Sequence, residues 1–361
     1  MKRLSLAIAF LVAAVPCLAA DPVALFYLTS NPDSIRSFLA HSTQIDLLVP
    51  TWYQVDENGL VTGAPDPTVL KRAQEDKVPL MPILAMFNKK GFHTLSLNTA
   101  AQALMNEAMI RECKAHGYVG FQFDLENVDY LDRDRLTALV KLSAQALHQA
   151  GLQISIATVP NAPGYPGTGG FAKWIYTDWR GAYDLANLAN SVDLLCLMTY
   201  DQHTRWTMPG PVAGWNWTKE NLDYALKVVP KTKLSLGIPL YGYHWYTGAP
   251  THDATADTDK PNPTADYIGT PNALQLATAY DGKIQWDEED HAHISISTAT
   301  RCASGSTSRT CIHSATATSW SKRVESRASA PGCSAKKTLK SGVFYLATNS
   351  GSVHSISETD R

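Results

Sequence analysis

The chain has 361 residues, a hydrophobic fraction of 45% and a formal net charge of −2. That is enough apolar material for one large core or two ordinary ones. No Lys/Arg cluster or basic stripe is present, so electrostatics gives no case for nucleic acid as a partner.

The first twenty residues form a separate object. Lys2 and Arg3 precede LSLAIAFLVAAV, an apolar run too short to span a bilayer, and CLAA supplies small residues before Asp21. Residues 1–20 read as a signal peptide cleaved near Ala20, which predicts a secreted or periplasmic protein with no membrane anchor. Cys113 falls in a helical pattern and Cys196 in an apolar strand, and both read as buried thiols. No C-x-x-C pair or metal-finger spacing occurs, and no cofactor or metal is expected.

Beyond the signal, strand and helix alternate. Residues 23–30 read as a strand, 34–42 as a helix, 45–55 as a strand, 66–77 as a helix and 79–87 as a third strand. A long amphipathic helix over 99–117 ends on Gly117, and the strand GFQFDLENV begins at 120. A helix over 133–151, a strand over 152–161, a helix near 182–191, a strand over 193–201, a helix over 218–229 and a strand over 233–243 follow. Repeated strand–helix units with apolar strands predict a parallel sheet covered by helices. Seven units in about 225 residues favour an α/β fold of the (β/α)8 TIM-barrel type over an open sheet. The first strand is not followed by a Gly-rich phosphate loop, which weakens a dinucleotide-binding alternative.

The fourth strand carries the chemistry. Phe121, Phe123 and Leu125 share one face; Gln122, Asp124 and Glu126 share the other. In a barrel the second face points inward, where an unpaired carboxylate is costly. Two carboxylates at i, i+2 lie about 7 Å apart along a strand and raise each other's pKa. A protonated acid near neutral pH is what cleavage of a glycosidic bond requires.

The run G-x-x-x-D-x-E resembles the D-G-x-D-x-D-x-E signature of glycoside hydrolase family 18, the chitinase-like barrels. MTYD at 198–201 and LGIPLYG at 236–242 match two further motifs of that family in the right order, and the resemblance covers roughly residues 23–245. It implies that Glu126 is the general acid, that Asp124 orients the substrate's N-acetyl group, and that Tyr200 donates to that acetamide. Met198, Asp201 and Tyr241 match substrate-lining positions; Tyr27, Trp52 and Trp245 are further candidates. The signature's first Asp is Val119 here and its second is Gln122, as in the bacterial cell-wall-glycan branch where Asn takes a similar place; Gln122 is expected to hydrogen-bond Asp124. The family acts by a substrate-assisted retaining mechanism. The expected partner is therefore an N-acetylglucosamine-containing glycan, and the expected state a monomer. A carbohydrate-binding protein on the same fold, catalytically impaired, is the contrasting reading.

The remaining features are less specific. Trp206, Trp215, Trp217 and Trp245 form an aromatic group that could stack on sugars or fill space beneath loops. His252, Asp253, Asp257 and Asp259 read as a solvated acidic loop, and His291 and His293 lack a third ligand. In domain terms, 21–245 is the barrel, 246–293 an insertion between strands seven and eight, and 294–361 an anomalous tail. From Ile294 to Gly342 about a quarter of the residues are Ser, with almost no apolar periodicity where an eighth helix and strand are due. ISIST and ASAPG can each be encoded so that a shifted frame yields aromatic, strand-like residues ending in Trp. Out-of-frame translation from about residue 294 is the expectation.

Overall fold

The computed structural model describes residues 24–162, 164–205, 207, 209–246, 265–300 and 307–314. The signal segment, Trp206, the acidic loop at 252–259 and the tail beyond 314 lie outside the described residues.

The barrel strands run parallel in chain order. β1 (Leu25–Leu28) pairs with β2 (Leu47–Pro50), and the large sheet continues through β3 (Tyr53–Val55), β5 (Ile83–Met86), β6 (Gly120–Leu125), β7 (Gln153–Thr158), β8 (Leu194–Leu197) and β9 (Leu234–Leu236). The expected single strand over 45–55 is broken into β2 and β3 by a tight turn in which Trp52 N donates to Pro50 O. β3 then folds back on the short antiparallel β4 (Val61–Gly63). Leu48 N donates to Pro79 O and Met81 N to Leu48 O, which joins the β1–β2 pair to the large sheet. Among the described residues no eighth parallel strand lies beside β9 or β1.

Local chemistry sets the helices. α1 (Pro32–His41) starts on Asn31, whose side chain accepts from Asp33 N; α2 (Pro67–Glu75) starts on Asp66, which accepts from Thr68 N and Val69 N. α3 (Lys89–Leu97), capped by Asn88 and burying Gly91, Phe92 and Leu95, has no counterpart in the sequence reading. α4 (Thr99–His116) and α5 (Arg133–Gln149) follow the predicted ranges closely. Next come the short α6 (Gly170–Ile175), a π-helical turn over Tyr176–Arg180, α7 (Leu185–Ala189) and α8 (Trp215–Val228). The main core lies between sheet and helices and buries Phe121, Phe123 and Leu125 completely, with Ile154, Ile156, Leu195 and Leu197 from neighbouring strands. Cys113 and Cys196 are buried free thiols. No helix among the described residues is long and apolar enough to cross a membrane.

A second, antiparallel sheet has the order β11–β10–β14–β13–β12, with β10 (Tyr241–Tyr246), β11 (Ala265–Gly269), β12 (Lys283–Asp287), β13 (Ala292–Thr300) and β14 (Thr307–Ser314). α9 (Thr270–Ala279) packs against it. The strand predicted at 233–243 thus divides: its first part is β9 of the barrel, and Tyr241 already belongs to the second sheet. Residues 294–300 and 307–314, read as tail, form strands in this sheet. At the start of β13 the pattern is inverted, however: Ser295 is 4% exposed while Ile296 is 57% exposed.

Candidate active site

β6 delivers the central pair. An added Cβ on Gly120 would lie 1.9 Å from Gln153 O, so only glycine lets β6 and β7 close at this point. Two pleats above, Asp124 and Glu126 project from the C-terminal end of the strand, partly buried. Glu126 N donates to Met86 O at 3.0 Å, extending the ladder to the acid itself. Asn127 then turns the chain with φ of 56°, its side chain donating to Phe87 O at 3.2 Å. A non-glycine residue in the left-handed region fixes where the acid side chain leaves the strand.

The electrostatics is dominated by carboxylates. Burial, then the charges of Asp124 and Asp201, push the Glu126 carboxyl up to about 8. Burial pushes Asp124 up to about 6, and its Oδ1 is shielded with no hydrogen-bond partner among the described residues. Tyr200 sits in the field of Asp124, Glu126 and Asp201, and burial above all holds its phenol protonated. An added Cβ on Gly237 would meet Leu197 O at 2.7 Å and the Tyr200 ring at 2.8 Å, so the glycine of LGIPLYG makes room for that ring.

Asp201 is held from the second sheet. Tyr241 and Tyr243 alternate on one face of β10, and both hydroxyls donate to Asp201 Oδ1, that of Tyr243 at 3.0 Å. Burial raises Asp201, and these two donors with Arg205 oppose the rise. The Tyr241 ring meets that of Tyr200 edge-on at 6.5 Å. Tyr243 lies against its cross-strand partner Tyr267 at 4.7 Å, and the Arg205 guanidinium lies over the Tyr267 ring at 4.7 Å.

The sequence candidates separate into groups. Glu126, Asp124, Tyr200, Asp201 and Tyr241 come together, and Tyr27 joins them, its buried hydroxyl lying within the field of Asp124, Tyr200 and Cys196. Met198 is buried at the end of β8 in the main core. Gln122 departs from its expected partner: Nε2 donates to Ser155 Oγ at 2.9 Å and to Cys196 Sγ at 3.1 Å rather than to Asp124. Register explains this, because Gln122 stands directly opposite Ser155 on β7. Trp52 packs against the main core, its ring 6.0 Å from that of Tyr118. Trp245 is 1% exposed, with Nε1 donating to Thr207 O, so it supports the wall under Tyr243 rather than presenting a ring face. Trp215 stacks on His291 at 4.8 Å, tying α8 to the second sheet.

Three residues that the sequence reading missed complete the site. Tyr183 is buried, donates to Leu125 O at 2.9 Å and feels the charges of Glu126 and Asp124. Nothing in GAYDL distinguishes it from a helix residue. Tyr243 could have been found by counting two residues from Tyr241 on a strand, and Asn127 by its place after the acid. Beside β5, whose Ala85 stands opposite Asp124, a hollow of about 410 Å³ opens between Gln54, Asp56, Glu57, Phe87 and Asn88.

The sequence profile of glycosyl hydrolases family 18 matches residues 25–300. The chain is similar to the uncharacterised glycosylase YvbX of Bacillus subtilis, 25% identical over 226 residues, covering 61% of this chain and 63% of that protein. It is also similar to the cortical fragment-lytic enzyme of the same organism, 23% identical over 249 residues, covering 66% of this chain and 53% of the relative. The chain therefore spans between about half and two thirds of the length of these relatives. Among solved structures, a chitinase from Chromobacterium violaceum superposes with a TM-score of 0.68 at 23% identity, covering 82% of this chain and 87% of that one. The spore cortex-lytic enzyme SleL of Bacillus megaterium gives 0.69 at 19% identity, covering 83% and 66%. These two place the fold among the chitinase TIM barrels, and the profile match over most of the chain settles the family: the protein belongs to the glycosyl hydrolases of family 18.

Proposed function

We propose that this protein is a secreted glycoside hydrolase that cleaves β-1,4 links next to N-acetylglucosamine in chitin-type glycans or peptidoglycan, with retention of configuration. The observation that carries the reading is Glu126: a carboxyl at the mouth of the barrel, kept protonated to about 8 by burial and by two neighbouring carboxylates. Such a group donates a proton at neutral pH.

In the first step the acetamide oxygen of the bound sugar attacks its own anomeric carbon. The glycosidic C–O bond breaks, its electron pair goes to the leaving oxygen, and Glu126 supplies the proton. Asp124 holds the acetamide N–H and balances the positive charge on the resulting oxazolinium ring; the Tyr200 hydroxyl donates to the acetamide. In the second step water attacks the anomeric carbon, the bond from that carbon to the acetamide oxygen breaks with its electron pair returning to the acetamide, and Glu126, now a carboxylate, takes the water's proton, which restores the acid. Tyr241 and Tyr243 fix Asp201 beside this centre. The relatives' names, a cortical fragment-lytic enzyme and a chitinase, support an N-acetylglucosamine-containing substrate, and the loss of the second signature Asp to Gln122 leans toward the cell-wall branch.

Incubation with chitotetraose and with a peptidoglycan digest tests the reading, with products followed by mass spectrometry. Cleavage of either with retained anomeric configuration is expected. Binding without products, equal in the wild type and the Glu126→Gln variant, would leave the carbohydrate-binding alternative. The observation favouring that alternative is the absence of an eighth parallel strand among the described residues.

A further inference from the structure

Beneath the catalytic pair lies a buried polar set that the mechanism above does not use. Gln122 stands two residues before Asp124 on the same face of β6 and is completely buried. Its amide nitrogen has two fixed partners, Ser155 Oγ of β7 at 2.9 Å and Cys196 Sγ of β8 at 3.1 Å. Ser155 donates its own proton to Met81 Sδ at 3.1 Å, which leaves its oxygen to accept from Gln122. Ser235 of β9 bonds to the Cys196 sulfur as well.

A primary amide has two N–H donors and one carbonyl acceptor. Both donors of Gln122 are taken up by β7 and β8, so the group it has left is Oε1. That oxygen is shielded and has no hydrogen-bond partner among the described residues, and the same holds for Asp124 Oδ1. Tyr27 of β1 feels the charges of both Cys196 and Asp124. The amide, 3.1 Å from that sulfur, therefore shares one enclosed space with the carboxylate. Two acceptors shut in together without a donor are unfavourable, and a proton on Asp124 supplies the donor.

We propose that Gln122 is a positioning residue for Asp124: Cys196 and Ser155, the latter backed by Met81, hold its amide so that it presents an acceptor, not a donor, to that carboxyl. In its functional consequence the inference rests on the hydrolase reading given above. An acceptor favours the neutral acid over the carboxylate, in the same direction as the burial that pushes Asp124 up to about 6. The titratable groups facing Asp124 are Glu126 on its own strand, Tyr27 of β1, Tyr183 before α7 and Tyr200 after β8. Asp201 acts on Glu126 and Tyr200, Cys196 stands behind the amide, and Ala85, opposite on β5, does not titrate. Asp124 balances the oxazolinium charge only when ionised. Activity therefore falls as pH drops through about 6, and the Gln122 amide helps to set that limit.

The test uses two readouts in the full chain: the acidic limb of kcat/KM on chitotetraose or soluble peptidoglycan fragments, and the titration of Asp124 followed by carbon-13 NMR of its carboxyl. Gln122→Met keeps the reach of the side chain without the acceptor, and both midpoints are expected to fall. Ser155→Ala/Cys196→Ala frees the amide N–H groups to turn toward Asp124, and the midpoints are expected to fall by about one pH unit or more, a tenfold change in the ionised fraction. Cys196→Ser keeps an acceptor for the amide and is expected to hold the wild-type midpoints. The alkaline limb, set by Glu126, is expected to stay in place throughout. Near-UV circular dichroism checks the fold of each variant; if the double variant does not fold, Gln122→Met decides alone. Unchanged midpoints in Gln122→Met would overturn the proposal, and a rise in that variant would mean that the wild-type amide donates to Asp124 instead. If the wild type cleaves nothing, the hydrolase reading fails, and the NMR midpoints still decide the role of Gln122.

Discussion

In the proposed mechanism Glu126 carries the proton on which the chemistry depends, and its surroundings make a pH prediction. With its carboxyl raised to about 8, the acid is protonated through neutral pH and loses its proton as pH rises through that value. Activity is expected to fall on the alkaline side near pH 8, which a kcat/KM profile checks. Glu126→Gln keeps the shape but has no acidic proton, and kcat is expected to fall by about 10²–10³ on an oligosaccharide whose leaving group needs protonation. The sequence exposed this pair because a strand alternates with period two, so the two carboxylates had to share a face with Gln122. It did not expose Gln122's partners, since Ser155 and Cys196 lie on other strands. Trp245, which is buried, shows the opposite failure. An aromatic residue at a strand end looks the same in sequence whether it faces a cleft or packs under a loop.

At the scale of elements, two close approaches decide whether the strands can place these groups. Gly120 lets β6 meet β7, and Gly237 lets the Tyr200 ring lie over the end of β9. Gly120→Ala would force the new methyl onto Gln153 O, a backbone atom that cannot move aside alone. A loss of more than ~2 kcal/mol in chemical denaturation is expected. Gly237→Ala meets both a carbonyl and the Tyr200 ring, so it is expected to lower kcat about tenfold or more with a smaller effect on stability, as a misplaced catalytic group does. The strand–helix alternation was legible because apolar runs bounded by caps and glycines recur along the chain. The division of the last predicted strand into β9 and β10 was not. LGIPLYG reads as one apolar run, and only the pairing of Tyr241 with Gly269 assigns its end to a different sheet.

For the whole molecule, the buried carboxylates cost stability. The folded protein holds Glu126's proton up to about 8, whereas the unfolded chain releases it near 4.5. Between those values the native state binds more protons than the unfolded state, so this group's contribution to stability falls as pH rises through that window. Glu126→Gln removes the effect and is expected to stabilise the protein at pH 8 by about 1–3 kcal/mol, seen as a higher Tm. The same variant at pH 4 should show little gain. The inverted pattern of β13, with Ser295 inside and Ile296 outside, is what a strand written in the wrong frame would give. Sequencing the transcript from codon 285 onward is expected to reveal a single-base change that restores an apolar strand ending in Trp. An unbroken frame with no such alternative would end that explanation.

The sequence by itself determined the barrel class, the strand that bears Asp124 and Glu126, and the order of the motifs that surround them. Those properties follow from local periodicity and from spacing along one chain. Only the tertiary structure decided that Asp201 is held by two phenols from the second sheet, that Tyr183 donates to the backbone of Leu125 beside the acid, and that Lys89 and Arg133 tie the loops after β6 and β7 together. Each of these is a contact between segments far apart in the chain, where register and packing, rather than the identity of either residue alone, choose the partner.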